Sequence, residues 1–236
     1  MIGHSLVYNF RSWLDLAAPP TCLFCSSPTD GPGCCAGCRA DLPWNRSACP
    51  GCALPSVLPQ ICPRCSRRPR RFDSAWSAFV LAAPVHSGLL GLKYHARFVQ
   101  ARVLGELMAA ELRSRREPLP DLLLPVPLHW RRLIRRGYNQ ALLLARELGC
   151  QLELPVDTRT LRRPGAGRDQ IGQSASARRA NLRGVFSASG SLQGRHIALV
   201  DDVMTTGATF DELARVCRRA GAKRIEVWSV ARTILS

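Results

Sequence analysis

Four Cys-x2-Cys pairs crowd the first third of the chain and constrain its fold more than any other feature. Cys22 and Cys25 are followed after nine residues by Cys35 and Cys38; ten residues later Cys49 and Cys52 precede Cys62 and Cys65 with the same internal spacing. The unit therefore occurs twice. Each pair can turn to present two thiolates to one tetrahedral ion, and the CPGC and CPRC stretches carry the Pro and Gly that such turns tolerate. Eight ligands predict two structural Zn2+ sites, each of four thiolates and closed to water. The spacing leaves open whether consecutive pairs share an ion or interleave. Cys34 reads as either a buried thiol or an alternative to Cys35.

A disulfide framework would need an oxidising compartment. Nothing in the sequence supports one, because Asn9, Arg11 and Asp15 interrupt the N-terminal stretch where a secretory signal would run. The most apolar later stretch, AWSAFVLAAPVHSGLLGL, is broken by Pro84 and His86 and falls short of the about 20 clean residues of a membrane span. A cytoplasmic protein without membrane insertion is expected. Nine of the 11 cysteines fall between Cys22 and Cys65, so a Cys-rich module at 1–71 should precede a conventional domain at 72–236.

The formal net charge is +16, and eight thiolates around two Zn2+ ions would lower it only to about +12. Arginine clusters at 67–71, 131–136 and 177–183 point to nucleic acid or phosphorylated ligands, although the scarcity of Lys among the 33 basic residues also fits a compositional bias.

From Phe72 the pattern alternates between strands and helices. SAWSAFVLAA reads as a strand or a tight pair, and GLKYHARFVQARVLGELMAAELRSR shows helical spacing with Leu104, Leu107, Met108 and Leu112 on one face. DLLLPVPL is a buried strand ended by prolines; Asn139 caps a helix that stops at Gly149. HIALVDD is a further strand, a helix begins near Phe210 and stops at Gly221, and RIEVWSVAR closes the domain. The alternation predicts an α/β parallel sheet with helices on both faces.

In such sheets ligands bind at the carboxyl ends of strands, where a helix N-terminus offers unpaired N–H groups to an anion. DDVMTTGAT lies at such a junction. Gly207 permits close backbone approach, and Thr205, Thr206 and Thr209 supply hydroxyl donors for a phosphate. Asp201 and Asp202 stand where carboxylates accept hydrogen bonds from vicinal sugar hydroxyls and lie near Mg2+. A phosphorylated ribose fits both halves. His86, His95 and His129 are scattered and read as structural or exposed.

The acid pair and TTGAT loop resemble the phosphoribosyl diphosphate (PRPP) fingerprint of type I phosphoribosyltransferases. With the four Cys pairs, LKYHAR, VPLHWRRLIRRGYNQA and ARRANLRGVF, nearly the whole chain resembles the ComF family of competence-related and gluconate-linked proteins. The resemblance implies a type I phosphoribosyltransferase fold behind a zinc-ribbon-like module, with PRPP and Mg2+ as ligands and a cytoplasmic link to incoming single-stranded DNA or a DNA-processing protein. It also implies that Asp201 and Asp202 serve as catalytic and ribose-binding residues, and that Thr205, Thr206, Gly207, Ala208 and Thr209 hold the 5-phosphate. Lys93, Arg131, Arg132, Arg135 and Arg136 become candidates for the diphosphate. The family frequently has Gly where this chain has Ala96, and Arg159 to Arg183 resembles a flap over the site, with Gln170 and Asn181 matching. A binding protein without turnover and a DNA-associated adaptor stand as alternatives to the enzyme.

Overall fold

Four apolar runs become the strands of one parallel sheet in a computed structural model that describes residues 21–29, 33–164 and 184–234. They are β1 (Ser74–Val80), β2 (Leu122–Pro125), β5 (His196–Met204) and β6 (Arg224–Arg232), in the order β1-β6-β5-β2. A short antiparallel pair, β3 (Leu161–Arg162) and β4 (Ser187–Ala188), stands apart. Because the four strands are parallel, their carboxyl ends share one edge, and Asp201 to Met204 end β5 between β2 and β6.

The helices are α1 (Ala36–Asp41), α2 (Pro63–Arg67), α3 (Val85–Tyr94), α4 (Phe98–Arg113), α5 (Trp130–Arg136), α6 (Gln140–Leu152) and α7 (Ala208–Arg219). Side chains alternate across a strand. Ile197 and Leu199 share a core with Phe210, Leu213, Ala214 and Cys217 of α7, whereas Ala198 and Val200 point to the opposite face, where α6 packs on β2 and β5. Helices thus cover both faces, as the alternation predicts. The buried hydroxyls of Ser77 and Ser229, paired in register across β1 and β6, satisfy each other at 2.6 Å.

Three boundaries differ from the sequence reading. The helical stretch expected after β1 forms two helices, α3 and α4, separated at His95–Arg97, where Ala96 takes φ +50°. That left-handed conformation cannot continue a helix and is one that glycine adopts at less cost. Helix α6 runs past Gly149 to Leu152, since Gly149 serves packing rather than termination: a Cβ there would lie 2.7 Å from the Leu154 carbonyl oxygen. Helix α7 begins at Ala208, two residues before Phe210.

The chain divides into two compact units, Met1–Leu42 and Pro43–Ser236. The division falls between the two cysteine quartets. In the larger unit, Cys49, Cys52, Ala53 and Cys65 belong to the same buried core as Ile197 and Phe210, and the Pro50 carbonyl accepts the Ala75 N–H of β1.

Candidate functional site

Cysteine placement settles the pairing that spacing left open. The sulfur atoms of Cys22, Cys25, Cys35 and Cys38 all lie within 4.8 Å of one another, and so do those of Cys49, Cys52, Cys62 and Cys65. Consecutive pairs therefore form each quartet, while Cys34 lies outside both, its thiol directed at the Cys35 carbonyl. The quartets repeat in detail. Cys22 donates its N–H to Ser27 and accepts from Ser26, as Cys49 does with Leu54 and Ala53. Ser26 and Ala53 both take positive φ, at 61° and 53°.

A zinc–sulfur distance of about 2.3 Å places tetrahedral sulfurs ~3.8 Å apart. Cys25–Cys35 and Cys52–Cys62 are each at 3.7 Å. Burial raises the Cys22 thiol, but backbone N–H groups at Cys35, Cys25 and Phe24 outweigh it and bring it to about 6. Hydrogen bonding with Cys25 pushes Cys38 upward. In the second quartet burial likewise opposes the N–H of Cys65 and neighbouring thiols, which leave Cys62 at about 7, while burial and Cys52 push Cys65 up. Four thiols this close cannot all ionise without a cation. Two zinc-ribbon sites, each with four cysteine ligands, fit this donor set.

The second site is built at the end of β5. Gly207, at φ +78°, turns the chain into α7 in a conformation that favours glycine, and a Cβ there would lie 2.8 Å from the Met204 methyl and 3.2 Å from an Arg70 guanidinium nitrogen. The Thr206 hydroxyl accepts the Ala208 N–H at 3.3 Å, and the Gly207 carbonyl accepts that of Asp211 at 2.9 Å. Thr206, Gly207 and Ala208 are buried; Thr205 and Thr209 are half-buried. No acceptor among the described residues takes the N–H groups of Thr205, Thr206 or Gly207. Among the described residues the loop thus presents unspent backbone donors at the N-terminus of a 12-residue helix.

Asp202 is buried, and its Oδ2 lies 2.8 Å from Lys93 Nζ. Its N–H donates to Asp201 Oδ1 at 2.8 Å. Burial of the Asp201 carboxyl, then the Asp202 charge beside it, raise the Asp201 pKa well above the usual carboxylate range. Two carboxylates repelling at one strand tip suit a cation or a pair of hydroxyl donors.

Three motifs distant in sequence converge here. Lys93, in the last turn of α3, reaches Asp202. Tyr138 donates its hydroxyl to the Leu92 carbonyl, and its ring meets Phe98 edge-on at 4.9 Å. The Arg136 guanidinium lies 5.3 Å from the centre of the Tyr94 ring and donates to Gln140 at 3.1 Å. Asn139 caps α6 and also donates to the Val126 carbonyl at 3.0 Å, which ties the loop after β2 to the helix. Arg131 and Arg135 are exposed on α5; Arg132 and Arg136 are half-buried there. His129 is buried and caps α5 through Nδ1, a structural role. Gln170, Asn181 and most of the stretch expected to act as a flap lie outside the described residues.

Sequence reasoning missed two arginines. Arg70 emerges from its cluster half-buried, paired with Asp211 at 2.9 Å beside Gly207. Arg232, at the end of β6, is 1% exposed and donates to the carbonyls of Cys52, Met204, Thr205 and Thr233. An arginine closing a strand whose other residues are mostly buried and apolar was the available signal.

A family model described as the phosphoribosyl transferase domain matches residues 133–233, and one described as the double zinc ribbon domain matches residues 13–66. The DNA utilization protein YhgH of Salmonella typhi is 35% identical over 226 residues, 93% of this chain and 100% of its own. Competence protein F of Haemophilus influenzae is 32% identical over 212 residues, 85% of this chain and 90% of that protein. Among solved structures, the glutamine PRPP amidotransferase of B. subtilis aligns with a TM-score of 0.37 and 18% identity over 55% of this chain and 25% of that one.

Proposed function

Because the chain belongs to the ComF family, with a type I phosphoribosyltransferase fold behind a double zinc ribbon, we propose that the loop ending β5 binds PRPP with Mg2+ and serves phosphoribosyl transfer. The observation that carries this reading is the set of N–H groups at Thr205, Thr206 and Gly207, without an acceptor among the described residues, beside the Asp201–Asp202 pair. In it, the loop amides and the Thr205, Thr206 and Thr209 hydroxyls take the 5-phosphate at the α7 N-terminus. Asp201 and Asp202 accept the ribose hydroxyls, and Lys93, 2.8 Å from Asp202, holds that carboxylate in place. Displacement at the anomeric carbon develops positive charge on the sugar as diphosphate departs, so the residues act by positioning and electrostatics. Arg131, Arg132, Arg135 and Arg136 are the proposed partners of the diphosphate, and Mg2+ would neutralise part of its charge. The proposed boundary after Arg71 is one of sequence type, ribbon before and transferase after, while packing divides the chain elsewhere.

PRPP with Mg2+ at about a hundredfold excess over its Kd should stabilise the native state by about 2.7 kcal/mol. Asp202→Asn and Thr206→Ala should each weaken that response and leave zinc content unchanged. Diphosphate release that depends on an added base, nucleoside or DNA marks a transferase; stabilisation without release marks a sensor. No thermal shift at millimolar PRPP with Mg2+ overturns the reading. A second role, contact with single-stranded DNA in the cytoplasm, is favoured by the names of the relatives and by Arg64, Arg67, Arg68 and Arg71, all exposed on and after α2.

A further inference from the structure

Arg232 carries a full positive charge into the core of the larger unit, and among the described residues no carboxylate lies within ion-pairing distance of it. A buried guanidinium needs both hydrogen-bond acceptors and a counter-charge. Its acceptors are main-chain carbonyls from three places: Cys52 in the second quartet at 2.7 Å, Met204 at 3.1 Å and Thr205 at 2.6 Å in the loop after β5, and its neighbour Thr233 at 2.5 Å. With Zn2+ bound, the second quartet would supply the counter-charge, since four thiolates around one such ion leave a net −2.

The peptide plane converts this contact into a functional one. In a trans peptide the carbonyl of one residue and the N–H of the next point in opposite directions, and the described X–Y bonds in this loop are trans. Drawing the Met204 and Thr205 carbonyls onto the guanidinium therefore turns the N–H groups of Thr205 and Thr206 the other way. Those are donors with no acceptor among the described residues. Arg70 adds a second tie, through Asp211 in the first turn of α7 and by its approach to Gly207.

We infer that Arg232 is a positioning residue for the phosphate loop: it fastens the loop carbonyls to the second cysteine centre, aims the Thr205 and Thr206 amides outward, and makes loop order depend on metal in that centre alone. The aim of those amides at a phosphate rests on the proposed PRPP reading; the fastening does not.

The test uses the full chain and reads three quantities: zinc content, amide exchange at Thr233, whose N–H donates to the Met204 carbonyl at 3.2 Å, and the Kd for PRPP with Mg2+. Lysine keeps the charge but cannot span the four carbonyls. Arg232→Lys should retain both zinc ions, speed Thr233 exchange and raise the PRPP Kd, each by about tenfold or more, as expected for lost charge-assisted hydrogen bonds. Cys25→Ser should lose the first zinc and change neither exchange nor Kd. Chelating the remaining zinc from Cys25→Ser should then speed Thr233 exchange while the sheet amides of Ile197 and Leu199 stay protected, an arm that decides the matter even if Arg232→Lys does not fold. Unchanged Thr233 exchange in both the substituted and the chelated protein overturns the inference, as does a loss of protection spread evenly through the sheet or an equal effect of Cys25→Ser alone. Should wild-type protein bind no PRPP, the functional reading fails and Thr233 exchange still decides the fastening.

Discussion

Adjacent carboxylates at a strand tip stand in unequal environments. Lys93 lies 2.8 Å from Asp202, whereas Asp201 meets burial and the charge of its neighbour, and its pKa is raised well above the ordinary carboxylate value. A raised folded pKa means that, between the ordinary value and the raised one, the folded state holds a proton that the unfolded state has released, so this group's effect on stability worsens as pH rises through that window. Asp201→Asn should accordingly be more stable than wild type at neutral pH without ligand, and the gap should close as pH falls to the unfolded carboxylate value. Thermal denaturation across pH checks it, with each kcal/mol read as about 2–4 °C in a chain of this size; a variant no more stable than wild type at pH 7 would refute the strain. The same variant should lose affinity for PRPP with Mg2+. At this scale the acid pair and TTGAT were legible because a local motif holds all their chemistry. The partnership of Lys93 with Asp202 was not, since it depends on where α3 ends relative to β5, and Arg232 was hidden because its acceptors are carbonyls contributed by three separate segments.

Elements were legible where periodicity alone defines them. The four sheet strands fall on the apolar runs read from the sequence, but helix breaks respond to conformations that composition does not spell out, such as the positive φ of Ala96. Strand β6 also shows how an apolar pattern conceals a buried charge. Glu226 is 2% exposed, accepts two hydrogen bonds from Arg115 at 2.8 and 2.9 Å and one from Trp228 Nε1 at 3.0 Å, and meets His196 at 3.0 Å. Burial works to raise its pKa, but Arg115, Trp228 and His196 outweigh that and lower it. A depressed folded value contributes stability above the ordinary carboxylate pKa, and the contribution is lost as pH falls through the lower folded one. Glu226→Gln keeps the volume and removes the charge, leaving half-buried Arg115, among the described residues, with only the exposed carboxylate of Glu117 at 3.7 Å. The loss should be about 3–5 kcal/mol at pH 7, the range for breaking one side of a buried pair, and should shrink on acidification. Urea denaturation at pH 7 and at the acid end of the folded range measures both. A loss under about 1 kcal/mol at pH 7 would show that solvent reaches this cluster and that the pair behaves as a surface one.

Across the whole molecule, the duplicated cysteine spacing announced two like sites, and the internal hydrogen bonds of the quartets repeat accordingly; what spacing could not announce is that the second quartet shares a core with the sheet, because that depends on Cys49, Cys52 and Cys65 meeting residues far along the chain. The basic charge has a similar history. The 67–71 cluster reads as one patch in sequence, yet Arg70 turns inward to Asp211 while Arg67, Arg68 and Arg71 stay exposed, joined by Arg64 from α2. Exposed arginines can exchange counterions for nucleic-acid phosphates, and each phosphate neutralised on a single strand contributes about −0.7 to the slope of log K against log salt. If these four side chains each meet one phosphate, single-stranded DNA should bind with little sequence preference and with a slope of about −3. Arg67→Gln combined with Arg68→Gln should reduce the magnitude of that slope by about 1.4 and weaken binding alike for different sequences. Fluorescence anisotropy over a salt series supplies the slope, with zinc content confirming that the ribbon is intact. Absence of binding at low salt would make the arginine excess a matter of composition, and binding whose slope ignores the double substitution would move the DNA contact away from α2.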